Sequence, residues 1–144
     1  MKVYFDSSVL VAGLADWHPD HARALPWFER VVRRKVRGAT SLHGVAETWS
    51  TLTGIPLRPP MATAEVRRLV REGILARLQI AEGTRRDYEA VLESAQERDI
   101  RGGAVYDALH AAMARKCRAD VLLTLDTRDF LRVAPDLASR IRTP

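Results

Sequence analysis

Four carboxylates that lie far apart along the chain are the residues best suited to catalysis. They are Asp6, Glu47, Asp107 and Asp126. Two carboxylates about 4 Å apart repel each other by roughly 4 kcal/mol at an effective dielectric of 20, so four ionised ones in one place require a bound cation. Hard oxygen donors with open water positions favour Mg²⁺ or Mn²⁺ over zinc. Such an ion can orient or deprotonate a water for in-line attack on a phosphodiester and neutralise charge on the leaving oxygen.

The hydrophobic pattern predicts elements that bring these four acids to one edge of a sheet. Residues 3–5 and 121–125 are short apolar runs typical of buried parallel strands, and an acid follows each run. Glu47 and Asp107 lie near the starts of predicted helices 42–53 and 104–117. Helices that return over a parallel sheet begin at the carboxyl edge of its strands, which is where ligands bind. The sequence therefore predicts an α/β fold with a shared acidic edge.

Other segments complete the predicted architecture. Ser7 and Ser8 are suitable N-caps for a helix over residues 9–15. Further elements are predicted as strands at 37–40, 75–80 and 141, and as helices at 62–73, 84–98 and 130–137.

Composition indicates an ordinary globular protein. The 144 residues suit one domain over 1–144, large enough to bury roughly two-thirds of its unfolded surface. Nothing approaches the roughly 20 apolar residues of a membrane span, and Asp6 interrupts the only candidate signal peptide. Cys117 is the lone cysteine, which excludes an intramolecular disulfide and thiol-based metal sites. We therefore expect a cytoplasmic protein without a membrane partner.

The net charge of +5 is carried mainly by arginine. Only three of the 23 cationic residues are lysines, and the arginines cluster around residues 33–37, 67–71, 85–86 and 115–118. Each cluster alone is also compatible with a solvated helix face. An acidic pocket within a basic surface nevertheless favours a polyanionic substrate, because the surface attracts the phosphate backbone while the pocket holds cations.

Three polar residues beside the acids are candidates for supporting roles. Ser8 is suited either to capping a helix or to orienting Asp6. Thr124 shares the face of Asp126 by strand alternation, so its hydroxyl is placed to hold that carboxylate or a water. Asp129 either assists the metal site or caps the helix that follows.

The histidines leave more than one role open. His43 and His110 each lie a few residues from one of the acids, which is compatible with a contact to substrate or with a structural role. His18 and His21 have no further histidine or cysteine nearby to complete a zinc site, and we interpret them as surface or capping residues.

Four segments together resemble the PIN-domain nucleases, and within them the VapC-type toxins of toxin–antitoxin pairs. They read VYFDSSVL, TSLHGVAETWS, GGAVYDALHAAMA and LLTLDTRDF. The resemblance implies a three-layer α/β/α sandwich around a mainly parallel sheet and a Mg²⁺-dependent endoribonuclease. It implies that Asp6, Glu47, Asp107 and Asp126 line the metal site and that Thr124 matches a frequent hydroxyl position. Asp6 and Asp107 are the first choices for direct ligands, with Asp126 and Glu47 binding through water or completing a second site.

The same resemblance implies partners. Such toxins form homodimers and are silenced by a cognate antitoxin that covers the active site. The favoured substrate is a structured RNA, tRNA or rRNA, although residues 54–60 match nothing that would define a target. Two other interpretations stay open, namely a PIN-type RNA-processing nuclease without an antitoxin and a catalytically silent module that binds RNA or protein.

Overall fold

Five parallel strands form one central sheet in the computed structural model, which describes residues 1–144. The strands are β1 (Lys2–Phe5), β2 (Arg37–Ser41), β3 (Gln79–Ala81), β4 (Val121–Leu123) and β5 (Ile141–Arg142). Their spatial order is β3-β2-β1-β4-β5, and every adjacent pair is parallel. The chain order changes direction between β1 and β4, and the crevice outside such a switch point is the preferred ligand site of open α/β sheets.

Seven α-helices connect the strands. They are α1 (Ser7–Leu14), α2 (His21–Val32), α3 (Leu42–Gly54), α4 (Thr63–Leu69), α5 (Arg85–Glu97), α6 (Ala104–Lys116) and α7 (Thr127–Val133). A π-helical segment, Val70–Leu75, continues α4, and a short 3₁₀ turn, Pro135–Leu137, follows α7. None of the helices is long and apolar enough to cross a membrane.

The sheet separates two apolar cores, and β1 contributes to both. Val3 and Phe5 point to one side, where they pack with buried residues of α1, α2, α3 and α4. Tyr4 points to the other side, where it packs with α6 and α7. This alternation is the period of two expected for a strand covered on both faces. The predicted three-layer α/β/α sandwich with a parallel sheet is confirmed.

Two predicted boundaries are wrong, each for its own reason. The third strand is predicted at residues 75–80 and lies at Gln79–Ala81, because the helix before it extends through Leu75 with Val70 and Ile74 buried. A short apolar run of this kind is compatible with helix and strand, and packing decides between them. The helix predicted at 130–137 begins at Thr127 instead, since Asp126 caps its first turn.

Candidate active site

Asp6 forms the junction between β1 and α1. Its carboxylate Oδ1 accepts hydrogen bonds from the Val9 backbone N–H at 3.0 Å and the Ser8 hydroxyl at 2.7 Å. Asp6 is thus the N-cap of α1, and the prediction that Ser7 or Ser8 caps this helix is wrong. The Ser8 hydroxyl also accepts a hydrogen bond from the Leu125 backbone N–H at 3.0 Å, which links the ends of β1 and β4.

Burial raises the pKa of Asp6, whose residue surface is only 4% exposed. The charge of His110 and the Val9 N–H act in the opposite direction without cancelling this effect. The hydrogen bonds from Ser8 and Val9 both end on Oδ1, and the Thr124 hydroxyl also interacts with the carboxylate and lowers its pKa. Asp6 places its carboxylate at the carboxyl edge of the central strand.

Asp107 lies in the first turn of α6 and faces other negative charges. Its pKa is raised to about 6 by burial together with the charges of Asp6, Asp129 and Glu47, which outweigh the opposing charge of His110. No hydrogen bond or salt bridge neutralises this carboxylate. The charges of Asp6, Asp129 and Glu47 therefore lie near enough to Asp107 to disfavour its ionisation.

Glu47, unlike Asp107, lies in contact with two histidines. Its Oε2 lies 2.6 Å from Nε2 of His110 and 3.2 Å from Nε2 of His43, although the His43 contact is not aligned as a hydrogen bond. Burial alone would raise the pKa of Glu47, but the interactions with His110 and His43 outweigh it and lower the pKa to about 2. Glu47 is therefore the readily ionised member of the group.

His110 is held from both sides of its ring. Its Nδ1 lies 2.9 Å from the buried hydroxyl of Tyr4, so Tyr4, His110 and Glu47 form one continuous hydrogen-bonded chain. The imidazole packs closely over α3 at Gly44, where a Cβ would lie only 2.9 Å from its Cε1. Gly44 thus permits the close approach of α3 and α6 that lets His110 reach Glu47.

Asp126 is exposed and serves as the N-cap of α7. Its Oδ1 accepts a hydrogen bond from the Asp129 backbone N–H at 3.1 Å. The Thr124 hydroxyl accepts a hydrogen bond from the Asp126 backbone N–H at 2.9 Å, so it supports the backbone of Asp126 and not its carboxylate. The acidic charge from this segment that acts on Asp107 is that of Asp129.

The histidine contacts were not foreseen from the sequence. The spacing of His43 and Glu47 by four residues on one helix indicates their contact, but His110 lies 63 residues from Glu47 and has no local signal. His43 also stacks on Tyr106, with ring centroids 4.9 Å apart and planes inclined by 26°. The donor atoms of His43, Glu47 and His110 lie within 4.8 Å of one another, a spacing that could also hold a metal ion.

The donors at this edge fit a hard divalent cation. No lysine or arginine forms a salt bridge with Asp6, Glu47, Asp107 or Asp126, although basic residues are abundant elsewhere on the protein. Burial and the neighbouring carboxylates keep the pKa of Asp107 raised. Carboxylate oxygens left unpaired in this way are the ligands that Mg²⁺ and Mn²⁺ prefer.

Fold, acidic edge and family comparison agree on the class of protein. The family model described as PIN domain matches residues 3–135, so the chain belongs to the PIN-domain family. Its curated relatives include ribonuclease VapC40 of Mycobacterium tuberculosis, which is 34% identical over 142 residues covering 93% of this chain and 97% of the relative.

Solved structures share the fold at low sequence identity. One is VapBC2 from Rickettsia felis, solved bound to a DNA fragment from its promoter. It superimposes with a TM-score of 0.69 and 17% sequence identity, over 100% of this chain and 99% of that chain. Another is VapC20 from Mycobacterium tuberculosis, a toxin that cleaves the sarcin-ricin loop. Its TM-score is 0.68 at 20% sequence identity, over 88% of this chain and 92% of that chain.

Proposed function

We propose that the protein is a metal-dependent endoribonuclease that hydrolyses RNA phosphodiester bonds and acts as the toxin of a toxin–antitoxin pair. The observation that carries this proposal is the PIN-domain match over residues 3–135, within which Asp6 caps α1 and Asp107 lies in the first turn of α6. Ribonuclease VapC40 supports the assignment to RNA, because it is 34% identical to this protein over 93% of the chain. Residues 1–144 would act as one PIN-like domain.

The acids of the site would have different roles, which follow from the groups around each of them. Asp6 and Asp107 would hold the divalent ion, with Asp126 or Asp129 completing the site from the start of α7. A bound Mg²⁺ would activate a water and neutralise charge on the scissile phosphate. Glu47, kept ionised by His110 and His43, would accept hydrogen bonds from water or substrate beside that ion. Ser8 would hold the Asp6 carboxylate in place.

Partners follow from charge and from the relatives. The exposed arginines would attract the phosphate backbone of a structured RNA, tRNA or rRNA, toward the acidic edge. The proposed site of action is the cytoplasm. The relationship to VapBC proteins supports a cognate antitoxin, and the proposal includes a homodimer of this chain. A small open reading frame encoding an antitoxin next to the gene would separate a toxin from an RNA-processing nuclease of the same fold.

Asp6→Asn tests the proposal most directly. Asparagine also caps helices, so we expect the fold to be retained, whereas loss of the negative charge should abolish Mg²⁺-dependent cleavage and growth inhibition. The measurement is cleavage of total RNA by purified wild type and variant, with circular dichroism as the control for folding. Cleavage at the wild-type rate by a folded Asp6→Asn protein would refute the assignment, as would full activity of the wild type in EDTA.

A further inference from the structure

We propose that the cavity beside Glu47 is a nucleobase subsite, in which one base of the RNA stacks on Tyr106. This inference rests on the proposed function, because it assigns a binding place to the nucleotide next to the scissile phosphate. The cavity measures about 350 Å³, within the range of about 300–1,000 Å³ that is usual for small-molecule sites. Its walls are formed by His43, Ala46, Glu47, Ser50, Thr51 and Tyr106.

Tyr106 presents a supported aromatic surface. Its side chain stands in the first turn of α6 directly before Asp107, and the residue is 47% exposed. One side of the ring stacks on His43, which in turn meets the buried ring of His110 edge-on at 5.7 Å. This support fixes the plane of the tyrosine before substrate arrives, so little conformational entropy is lost on binding. The outer side of the ring is left for a base.

The cavity suits a neutral base better than a phosphate. No arginine or lysine lines it, and the ionised carboxylate of Glu47 in its wall would repel a phosphate. Ser50 and Thr51, one turn after Glu47 on α3, offer hydroxyls that make no hydrogen bond within the protein and can meet the polar edge of a base. Tyr106 directly precedes Asp107 on α6 and Glu47 forms part of the wall, so a base in the cavity would lie beside the acids that are proposed to hold the phosphate.

Equilibrium binding to two RNA probes of equal charge separates stacking from backbone attraction. One probe is a labelled ten-nucleotide oligoadenylate, and the other is a ribose-phosphate decamer without bases. In an Asp6→Asn background, which prevents cleavage, Tyr106→Ala should raise the Kd for oligoadenylate about 5- to 100-fold. The same substitution should leave the Kd for the base-free decamer unchanged, and Tyr106→Phe should restore binding of oligoadenylate. Fluorescence anisotropy measures each Kd.

Trp17→Ala is the matched control. Trp17 is 37% exposed and lies against a histidine ring, but it follows the end of α1 and thus lies at the opposite edge of the sheet. The Trp17→Ala substitution should leave the Kd for both probes unchanged. Equal Kd values for Tyr106→Ala and its parent on oligoadenylate, or equal losses on both probes, would overturn the subsite. Failure of wild type to cleave any RNA with Mg²⁺ would instead overturn the proposed function, since the binding measurements do not depend on cleavage.

Discussion

Neighbouring carboxylates of the site respond in opposite ways to similar burial. Burial and the charges of Asp6, Asp129 and Glu47 raise the pKa of Asp107 to about 6, whereas the interactions with His110 and His43 outweigh burial and lower the pKa of Glu47 to about 2. A single site thus contains one acid that readily ionises and another whose ionised form a bound cation would stabilise. Electrostatic surroundings, more than residue type, define the role of each acid.

Asp107→Asn should stabilise the metal-free protein at neutral pH. A carboxyl whose folded pKa is raised from 3.8 to about 6 binds more protons when folded than when unfolded, so its contribution to stability falls as the pH rises through this interval. We expect the Tm of the variant in EDTA to exceed that of wild type by a growing margin from pH 4 to pH 6.5 and to level off above it. Calorimetry across pH measures this difference, and added Mg²⁺ should diminish it. A margin independent of pH would contradict the electrostatic interpretation.

The sequence predicts the residues of this site better than their contacts. Asp6 and Asp107 can be identified as candidate site residues because each lies near the start of a helix, and the parallel topology brings these helix starts to the carboxyl edge of the sheet. The pairing of His110 with Glu47 joins two helices that are distant in sequence, and only their packing at Gly44 creates it. No periodicity within either helix contains that information.

At the scale of elements, the site depends on how closely α3 approaches α6. A Cβ on Gly44 would lie 2.7 Å from the Thr40 hydroxyl oxygen and 2.9 Å from the His110 ring, and both groups are buried. The Thr40 hydroxyl donates a hydrogen bond to the Phe5 carbonyl at 2.9 Å, which ties β2 to β1 just before Asp6. A side chain at this position would therefore disturb two anchors of the site together.

Gly44→Ala and Gly54→Ala form a matched pair on the same helix. We expect Gly44→Ala to destabilise the protein by about 1–3 kcal/mol through overpacking and to lower cleavage by displacing His110. A methyl group added at Gly54 would meet no atom within 4 Å, so Gly54→Ala should be neutral or stabilising by up to about 1 kcal/mol. Urea unfolding measures both free energies. Equal stability of the two variants would show that the helices do not require glycine at position 44.

Element types were predictable where periodicity was long, as in α6, and less so where runs were short. Val70–Leu75 continues a helix because Val70 and Ile74 both reach the core, and local composition cannot distinguish this from the start of a strand. The start of α7 at Thr127 depends on one side chain, Asp126, which a pattern of apolar residues does not register.

At the scale of the whole molecule, the protein carries a net charge of +5, to which the exposed arginines around residues 33–37, 67–71 and 115–118 contribute. Some of these arginines, such as Arg68 and Arg115, pair with neighbouring acids, whereas no lysine or arginine forms a salt bridge with the acids at the carboxyl edge of the sheet. A polyanion would therefore gain affinity from the surface and be cleaved at the edge. The same arrangement makes RNA binding an electrostatic process that salt must weaken.

Raising the salt concentration from 50 to 200 mM should weaken RNA binding about tenfold or more. Release of counterions from single-stranded RNA gives a slope of about −0.7 per neutralised phosphate in a plot of log affinity against log salt, and a few contacts suffice for this loss. Anisotropy titrations of the Asp6→Asn protein at several salt concentrations provide the slope, with Tm measured in the same buffers as the control. A slope near zero would mean that the arginine clusters do not contact the phosphates.

The position of β1 at the centre of the sheet has a consequence for synthesis of the protein. Phe5 of β1 pairs with Leu123 of β4, so the central strand cannot pair with β4 until the last part of the chain has been synthesised. At roughly 10 residues per second, about ten seconds of translation separate the two segments. Asp6 emerges from the ribosome early and Asp107 late, so a growing polypeptide carries an unfinished acidic centre. Nascent chains would be harmless to the RNA of the ribosome that makes them, and only completed, released molecules would need to be restrained.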